Sequence, residues 1–345
     1  MPNLLRHTCQ YLAVAVLVAL AGASQAQDPV FSQFYASPLL LNPAFAGTTQ
    51  APHIALHHRS QYLGFASQTV YQSYAASYSQ YVAPIRSGIG LSVFADDAGG
   101  GGYLSYAARA YYSYQVRIDK SRSIRVGLSA GLQRRELDWD RLVFGDQLNN
   151  ITGLDPSLVT NEVRPDDTNI TFADFGAGLL YAGKTAYFGA SLDHVTQPDD
   201  QIAFNGPGGF YRGLPMRFST HAGVQLPIGG TQTAGKPNFV TPNVLYTLQG
   251  PFAQLNAGAY ASFNVLFVGG WFRYAFGNSD AFIGVVGVEW DMYKFGYSYD
   301  LTVNGLSNET SGTHEVSLQL NFDKAWWIQK KRKATRYNDC LQLFR

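Results

Sequence analysis

The chain has 345 residues, with 25 Lys and Arg against 24 Asp and Glu and only 14% charged residues in all. So even a balance excludes nucleic acid as a partner, because that would need a basic face. Tyr and Phe number 22 each and Gly 35, yet beyond the leader no apolar run approaches the ~20 residues of a helical membrane span.

Residues 1–26 read as an export signal. Arg6 and His7 form a short basic region, Tyr11 to Ala23 is apolar, and Ser24 and Ala26 occupy the −3 and −1 positions of a cleavage site before Gln27. The apolar run is too short for an anchor, and Cys9 precedes it, which is the wrong order for a lipoprotein signal. Cleavage removes Arg6 and leaves basic and acidic residues equal in number. Cys340 is then the only cysteine, so no internal disulfide forms.

Residues 27–52 follow as an irregular segment. The run from Gln27 to Gly47 is dense in aromatics, holds Pro29, Pro38 and Pro43, and contains no Lys or Arg. Proline bars it from a central strand and breaks any helix longer than a turn or two. An apolar, folded-back segment of this kind needs a surface to lie on.

From His53 to residue 323 the pattern is period two, which means strand. Between Tyr103 and Ile118 one face carries Leu104, Tyr106, Ala108, Ala110, Tyr112, Tyr114 and Val116, and the other Ser105, Arg109, Ser113, Gln115 and Arg117. Ile124 to Leu132 and Val316 to Phe322 repeat the alternation. A soluble sandwich also alternates, but strands beyond ten residues with Tyr- and Phe-rich apolar faces fit a lipid face with aromatic girdles. About fourteen segments, starting near His53, Gln68, Ser87, Tyr103, Ser123, Ile170, Thr185, Met216, Phe239, Phe252, Asn264, Ala281, Tyr293 and Thr313, predict an all-β, transmembrane antiparallel β-barrel. Tight connections at Pro84–Arg86, Asp119–Arg122, Gly183-Lys184 and Asp291-Met292 belong to the periplasmic end. Asp96–Gly102, Asp138–Thr168, Gln197–Pro215 and Asn304–Gly312 belong to the outer end. Pro227–Asn238 is long where a short turn is expected, through a miscounted strand or a functional loop.

Residues 324–345 form a periplasmic tail in which Trp326-Trp327 precedes Lys330-Lys331-Arg332-Lys333. It reads equally as an anchor beside lipid head groups or as a docking tail for a periplasmic partner. The opening segment precedes the first strand and so is expected to begin on the periplasmic side. Its backbone cannot lie unpaired in lipid, so it packs inside the barrel as a plug or against the periplasmic rim. The side chains expected to do this are Phe31, Phe34, Tyr35, Leu39, Leu41 and Phe45, with Asn42 and Pro43 between them.

Motifs for chemistry are weak. Gly127-Leu128-Ser129-Ala130-Gly131 matches G-x-S-x-G, but that elbow needs a strand-to-helix turn and this one falls mid-strand. The pairs Asp96-Asp97, Asp166-Asp167 and Asp199-Asp200 lie in outer loops without metal-ligand spacing. His57 and His58 point to opposite faces and cannot share a metal. No catalytic residue, metal or cofactor is expected. Lumen charges are predicted at Arg109, Arg125, Arg273, Glu289, Asp300 and Glu315, cross-linked by ion pairs or lining water.

Several runs resemble one family. The Gln27-Asp28-Pro29-Val30-Phe31-Ser32-Gln33-Phe34 and Pro38-Leu39-Leu40-Leu41-Asn42-Pro43-Ala44-Phe45-Ala46-Gly47 stretches are similar to the start of the PorP/SprF outer-membrane proteins of the type IX secretion system. So are Leu142 to Leu148, with Phe144-Gly145-Asp146-Gln147 at its centre, and Lys294 to Asp300 followed by Gly312 to Leu318. The Cys340…Phe344 ending resembles the family's terminus, with Leu341 where proline is common. The resemblance implies an outer-membrane barrel, working with the secretion apparatus, that supports secretion or surface attachment of adhesin-like exported proteins. The partners implied are an exported cargo protein, periplasmic or outer-membrane components of the apparatus, and outer-membrane lipid. The alternative is a diffusion or uptake channel for small solutes.

Overall fold

The structure, a computed structural model, describes residues 28–61, 71–119, 121–149, 153–154, 158–199, 202, 213–229, 238–275, 281–303, 312–325 and 339–344. The leader, the Trp326-Trp327 pair and the Lys330–Lys333 run lie outside them. Fourteen strands close into one antiparallel barrel. They are β1 (His53–Gln61), β2 (Tyr71–Val82), β3 (Ser87–Ala98), β4 (Tyr103–Arg117), β5 (Ser123–Leu137), β6 (Asn169–Ala182) and β7 (Ala186–Asp193). The second half is β8 (Arg217–Val224), β9 (Phe239–Gln249), β10 (Phe252–Phe263), β11 (Leu266–Ala275), β12 (Ala281–Trp290), β13 (Tyr293–Thr302) and β14 (Thr313–Asn321). Each strand pairs with its sequence neighbours, and β1 pairs with β14 from His53↔Asn321 to Gln61↔Thr313 to complete the circle.

Alternation in the sequence becomes alternation in burial. Along β12 every second residue is buried, so that Ile283 and Val285 face inward while Phe282, Val286 and Val288 face outward. On the opposite wall, Leu91 is 61% exposed and Leu132 60%. Apolar exposure of this kind recurs around the whole circumference. A soluble protein rarely exposes a patch beyond a few hundred Å², whereas a barrel in lipid must.

Three tight turns carry a left-handed non-glycine residue, Arg86 at φ 51°, Asn264 at φ 57° and Asp291 at φ 51°, and the last two are of the types that tolerate this region. Asn264 therefore belongs to a turn, and β11 begins at Leu266. Among the described residues, the long connection after β8 holds no additional barrel strand. Leu226 and Pro227 pair with Val240 and Phe239 in the register of β8 with β9, and the Ile228 N–H donates to the Asn238 carbonyl at 2.9 Å. The hairpin simply extends further, and the count of fourteen stands. The G-x-S-x-G run lies inside β5, as its alternation requires.

Candidate functional site

The lumen is occupied by the chain itself, and its occupant runs lengthwise. Asp28 meets the loop ends of β5, β7, β8 and β9: its N–H donates to Gln249 Oε1 at 3.2 Å, and its carboxylate faces His194, Arg217 at 3.5 Å and Arg135 at 3.9 Å. Two residues on, Arg59 Nη1 donates to the Val30 carbonyl at 2.6 Å. At mid-depth, the Ser32 and Gln33 N–H groups donate to the two oxygens of Glu315 at 2.7 and 2.9 Å. Near the turn end the Ala46 carbonyl accepts from Ser113 Oγ and Arg125 Nη1, and Asp323 accepts from the Gln50 and Ala51 N–H groups. The segment thus descends from the loop end to the turn end and then enters β1. The expectation that it begins on the periplasmic side is corrected: its last residues lie there, and its start lies at the opposite end. Parity fixes where β1 begins but says nothing of how far a preceding segment has already travelled.

Irregular backbone in a lumen must find partners for its polar groups, and three one-turn helices supply some of them. They are Phe34–Ala36, Pro38–Leu41 and Pro43–Phe45, and the last two begin with proline, at a position where no N–H is needed. Asn42 caps the third, accepting from the Ala44 N–H at 2.9 Å, while its Nδ2 donates to the Leu179 and Ala190 carbonyls of the wall. The predicted side chains Phe31, Phe34, Tyr35, Leu39, Leu41, Asn42, Pro43 and Phe45 are all buried. Phe31 stacks on His57 at 4.1 Å between centroids, and Tyr35 stacks on Trp271 at 5.8 Å.

Two wall positions lack a side chain where the segment's backbone presses closest. A Cβ on Gly127 of β5 would stand 2.3 Å from the Ala44 nitrogen, and one on Gly88 of β3 would stand 2.0 Å from the Ala46 oxygen. Gly127, half of the apparent nucleophile-elbow signature, is a packing glycine.

The predicted lumen charges divide into separate groups. Arg273 meets Asp300 at 2.9 Å and Asn256 at 3.2 Å, and both Arg273 and Asp300 bond the Ser32 hydroxyl. Glu315 also binds His57 at 3.2 Å and Arg59 at 3.4 Å, with no exposed side-chain surface. Arg109 pairs with Asp174 at 2.5 Å and Asp193 at 3.7 Å. Arg125 reaches Ala46 and Gln115 at the turn end. Glu289 lies opposite Lys294 in the β12–β13 register. Phe144, Gly145, Asp146 and Gln147 stand apart. Gln147 bonds Phe144 and Leu158, Phe144 packs on Trp139, and Asp146 accepts from Asn161 and Thr160. The Asn161 N–H, then the Thr160 hydroxyl, hold the Asp146 carboxyl below its ordinary value. This motif braces its own loop.

Sequence reasoning missed Asp28, Gln33, Asp174 and His194. One signal was available: Asp28 is the sole charge in a segment otherwise without charged residues. Burial would raise its carboxyl, but His194, Arg217 and Arg109 outweigh that and hold it well below the carboxylate range. Burial alone would lower His194, one residue beyond β7, but Asp28 and Asp174 raise it to about 9. The sign follows from linkage. The lowered Asp28 contributes above its ordinary value of ~3.9 and loses that contribution as pH falls; the raised His194 contributes fully below its ordinary ~6.5 and loses it as pH rises through its folded value. Amide exchange at Val30–Gln33, corrected for intrinsic rate, is expected to accelerate above pH of about 9. In a His194→Gln variant that step should vanish.

The chain's end packs at the turn end. Phe344 lies 4.5 Å from Phe45 between ring centroids and 5.2 Å from Tyr187, and Cys340 is buried with its thiol on the Gly183 carbonyl at 3.1 Å. Lys294 Nζ donates to the Leu343 carbonyl at 2.8 Å and sits 5.2–5.5 Å from the Tyr35, Tyr260 and Phe267 ring centres. The residues read as a tail therefore end in packed structure. Lys294→Met removes this clasp. In the folded variant Cys340 is expected to react with a maleimide reagent that leaves the wild-type thiol unmodified.

With this geometry in place, comparison with known proteins is decisive in one respect. The sequence model of the type IX secretion system membrane proteins PorP/SprF matches residues 23–320. The chain belongs to the PorP/SprF family. As a PorP/SprF protein it is an outer-membrane β-barrel of the type IX secretion system, involved with the components of that apparatus. A search of curated proteins finds no match. Similar solved structures include a KdgM porin, at 11% identity over 78% of this chain and 99% of the other, TM-score 0.34. A mutant of Rh. blastica porin matches at 10% identity over 78% and 98%, TM-score 0.34. Likeness this loose carries no argument about function, and the barrel of the PorP/SprF chain rests on its own strand pairing. Among its described residues no group of three His, Cys, Asp or Glu is arranged to hold a metal ion.

Proposed function

We propose that this PorP/SprF protein is a noncatalytic barrel that supports secretion or surface attachment of exported, adhesin-like proteins. In this reading residues 27–52 act as a built-in plug, the long outer loops at Asp138–Thr168 and Gln197–Pro215 hold or pass the exported protein, and the periplasmic turns and tail contact the apparatus. Long loops beyond what a hairpin needs usually serve a function. The observation that carries the reading is the lumen-length opening segment, bonded to the wall at every depth from Asp28 to Ala51. A diffusion or uptake channel needs an open polar lumen, and this path runs through the space that such a channel would use.

The test is affinity purification of the protein from native membranes, with the bound proteins identified, alongside secretion assays in a deletion strain. Co-purification of an exported protein or an apparatus component, with loss of adhesin from the surface on deletion, is expected. Solute flux through liposomes with secretion intact would reverse the conclusion.

A further inference from the structure

At the loop end of the lumen, Arg109, Arg135, Arg217 and His194 converge on Asp28, Asp174 and Asp193. From the wall, Asp174 and Asp193 pair with Arg109, Arg217 and His194. The third carboxylate is contributed by Asp28, which comes from the opening segment and not from the wall. Buried cations are costly without counter-charges, and the Asp28 carboxylate serves Arg135, Arg217 and His194 together. Any carboxylate of suitable reach can take that role.

Exposure decides which of the lumen acids can exchange. The Asp28 side chain is 13% exposed, Arg217 12% and Arg109 11%, whereas Glu315 is 0% and Asp300 3%. A cavity of about 90 Å³ adjoins Asp28, lined by Arg109, Arg217, Gln133, Phe31 and Phe94. At a water's share of about 30 Å³ each, this gives room on the order of three waters, enough for one carboxylate to enter as another swings aside. Gln133 is 5% exposed and its Oε1 has no hydrogen-bond partner among the described residues. An acceptor beside a carboxylate site suits a ligand that also brings an N–H, as the end of a polypeptide does.

We infer that the Arg109–Arg135–Arg217–His194 cluster is a carboxylate-binding site facing the loop end, filled by Asp28 and exchangeable for a carboxylate presented from that side. Exchange removes the outermost attachment of the opening segment, so ligand binding and release of the plug's start are one event. Only the ligand's source rests on the proposed function; carboxylate binding itself is read without it.

The test uses the full chain in detergent. Asp28→Ala vacates the site, and its melting temperature is expected to rise saturably with sodium acetate but not with sodium chloride at equal ionic strength. Adding Arg217→Ala to that variant is expected to abolish the response. A short peptide ending in a free carboxylate, set against its C-terminal amide, separates sources: a stronger response to the acid peptide than to acetate points to a polypeptide end, and a response to acetate alone points to a small solute. Should Asp28→Ala fail to fold, acetate added to the wild type is expected to hasten proteolysis within residues 28–36, again without effect from chloride. Equal responses to acetate and chloride in both formats overturn the site, while leaving the co-purification result to judge the secretion role.

Discussion

Glu315→Ala is expected to free the middle of the opening segment while leaving the strands paired. Glu315 accepts from the Ser32 and Gln33 N–H groups and from His57, and it faces Arg59, with no exposed side-chain surface. Its loss strands two backbone donors and a buried guanidinium together. Breaking a buried pair from one side costs about 3–5 kcal/mol, more than the typical effect of a point substitution. The β14 backbone keeps its ladder to β1 and β13, so the penalty falls on the segment. In planar bilayers the variant should show conductance steps that the wild type lacks, and amide exchange at Ser32 and Gln33 should rise to the level of exposed backbone. Glu315→Gln retains one acceptor and should fall between the two. Unchanged exchange in Glu315→Ala would mean that the aromatic contacts alone hold the segment.

Gly127→Val should act at the other end of the same segment and by sterics alone. Valine suits a strand better than glycine does, so β5 itself is expected to tolerate the change. The new Cβ, however, would meet the Ala44 nitrogen at 2.3 Å. Backbone cannot yield as a side-chain tip does, and overpacking costs about 1–3 kcal/mol. Residues 43–47 should withdraw from the β5 wall, loosening Phe45 from Phe344 and with it the chain's end. Protease cleavage within 43–52, together with maleimide labelling of Cys340, reports that movement. Retention of the heat-dependent gel shift of a folded barrel shows that the strands survived. Cleavage and labelling both at wild-type levels would contradict the packing role of Gly127.

Much of this molecule is legible in its sequence because period two is a strong local code. Tyr103 to Ile118 announces a strand whose outward and inward faces follow from residue type and spacing alone, and Asp291-Met292 announces its turn. The apolar set Phe31 to Phe45 is legible as something that must be covered. Its direction is not. A segment without periodicity carries no register, and the bonds that fix its depth join residues far apart in the chain, such as Ser32 with Glu315. The lumen arginines could be assigned to a face but not to a partner, since Arg109 chooses Asp174 and Asp193 only once β4, β6 and β7 share a wall. Gly127 misled for the same reason: a motif names residues, whereas its meaning here depends on Ala44 from a distant part of the chain.

The direction of the opening segment constrains how this protein can be assembled. Asp28 lies at the loop end and Gln50-Ala51 at the turn end, so residues 28–51 are enclosed by the wall that β1 helps to form. The seam where the first and last strands meet, with Arg59↔Glu315 the third pair from its loop end, is also where Glu315 grips Ser32 and Gln33. Threading a finished cylinder would drag an apolar, proline-broken strip past every inward charge. Enclosure during closure avoids this, because Glu315 both stands in the final seam and bonds the segment. The path of residues 28–51 thus favours enclosure as the barrel closes over insertion afterwards.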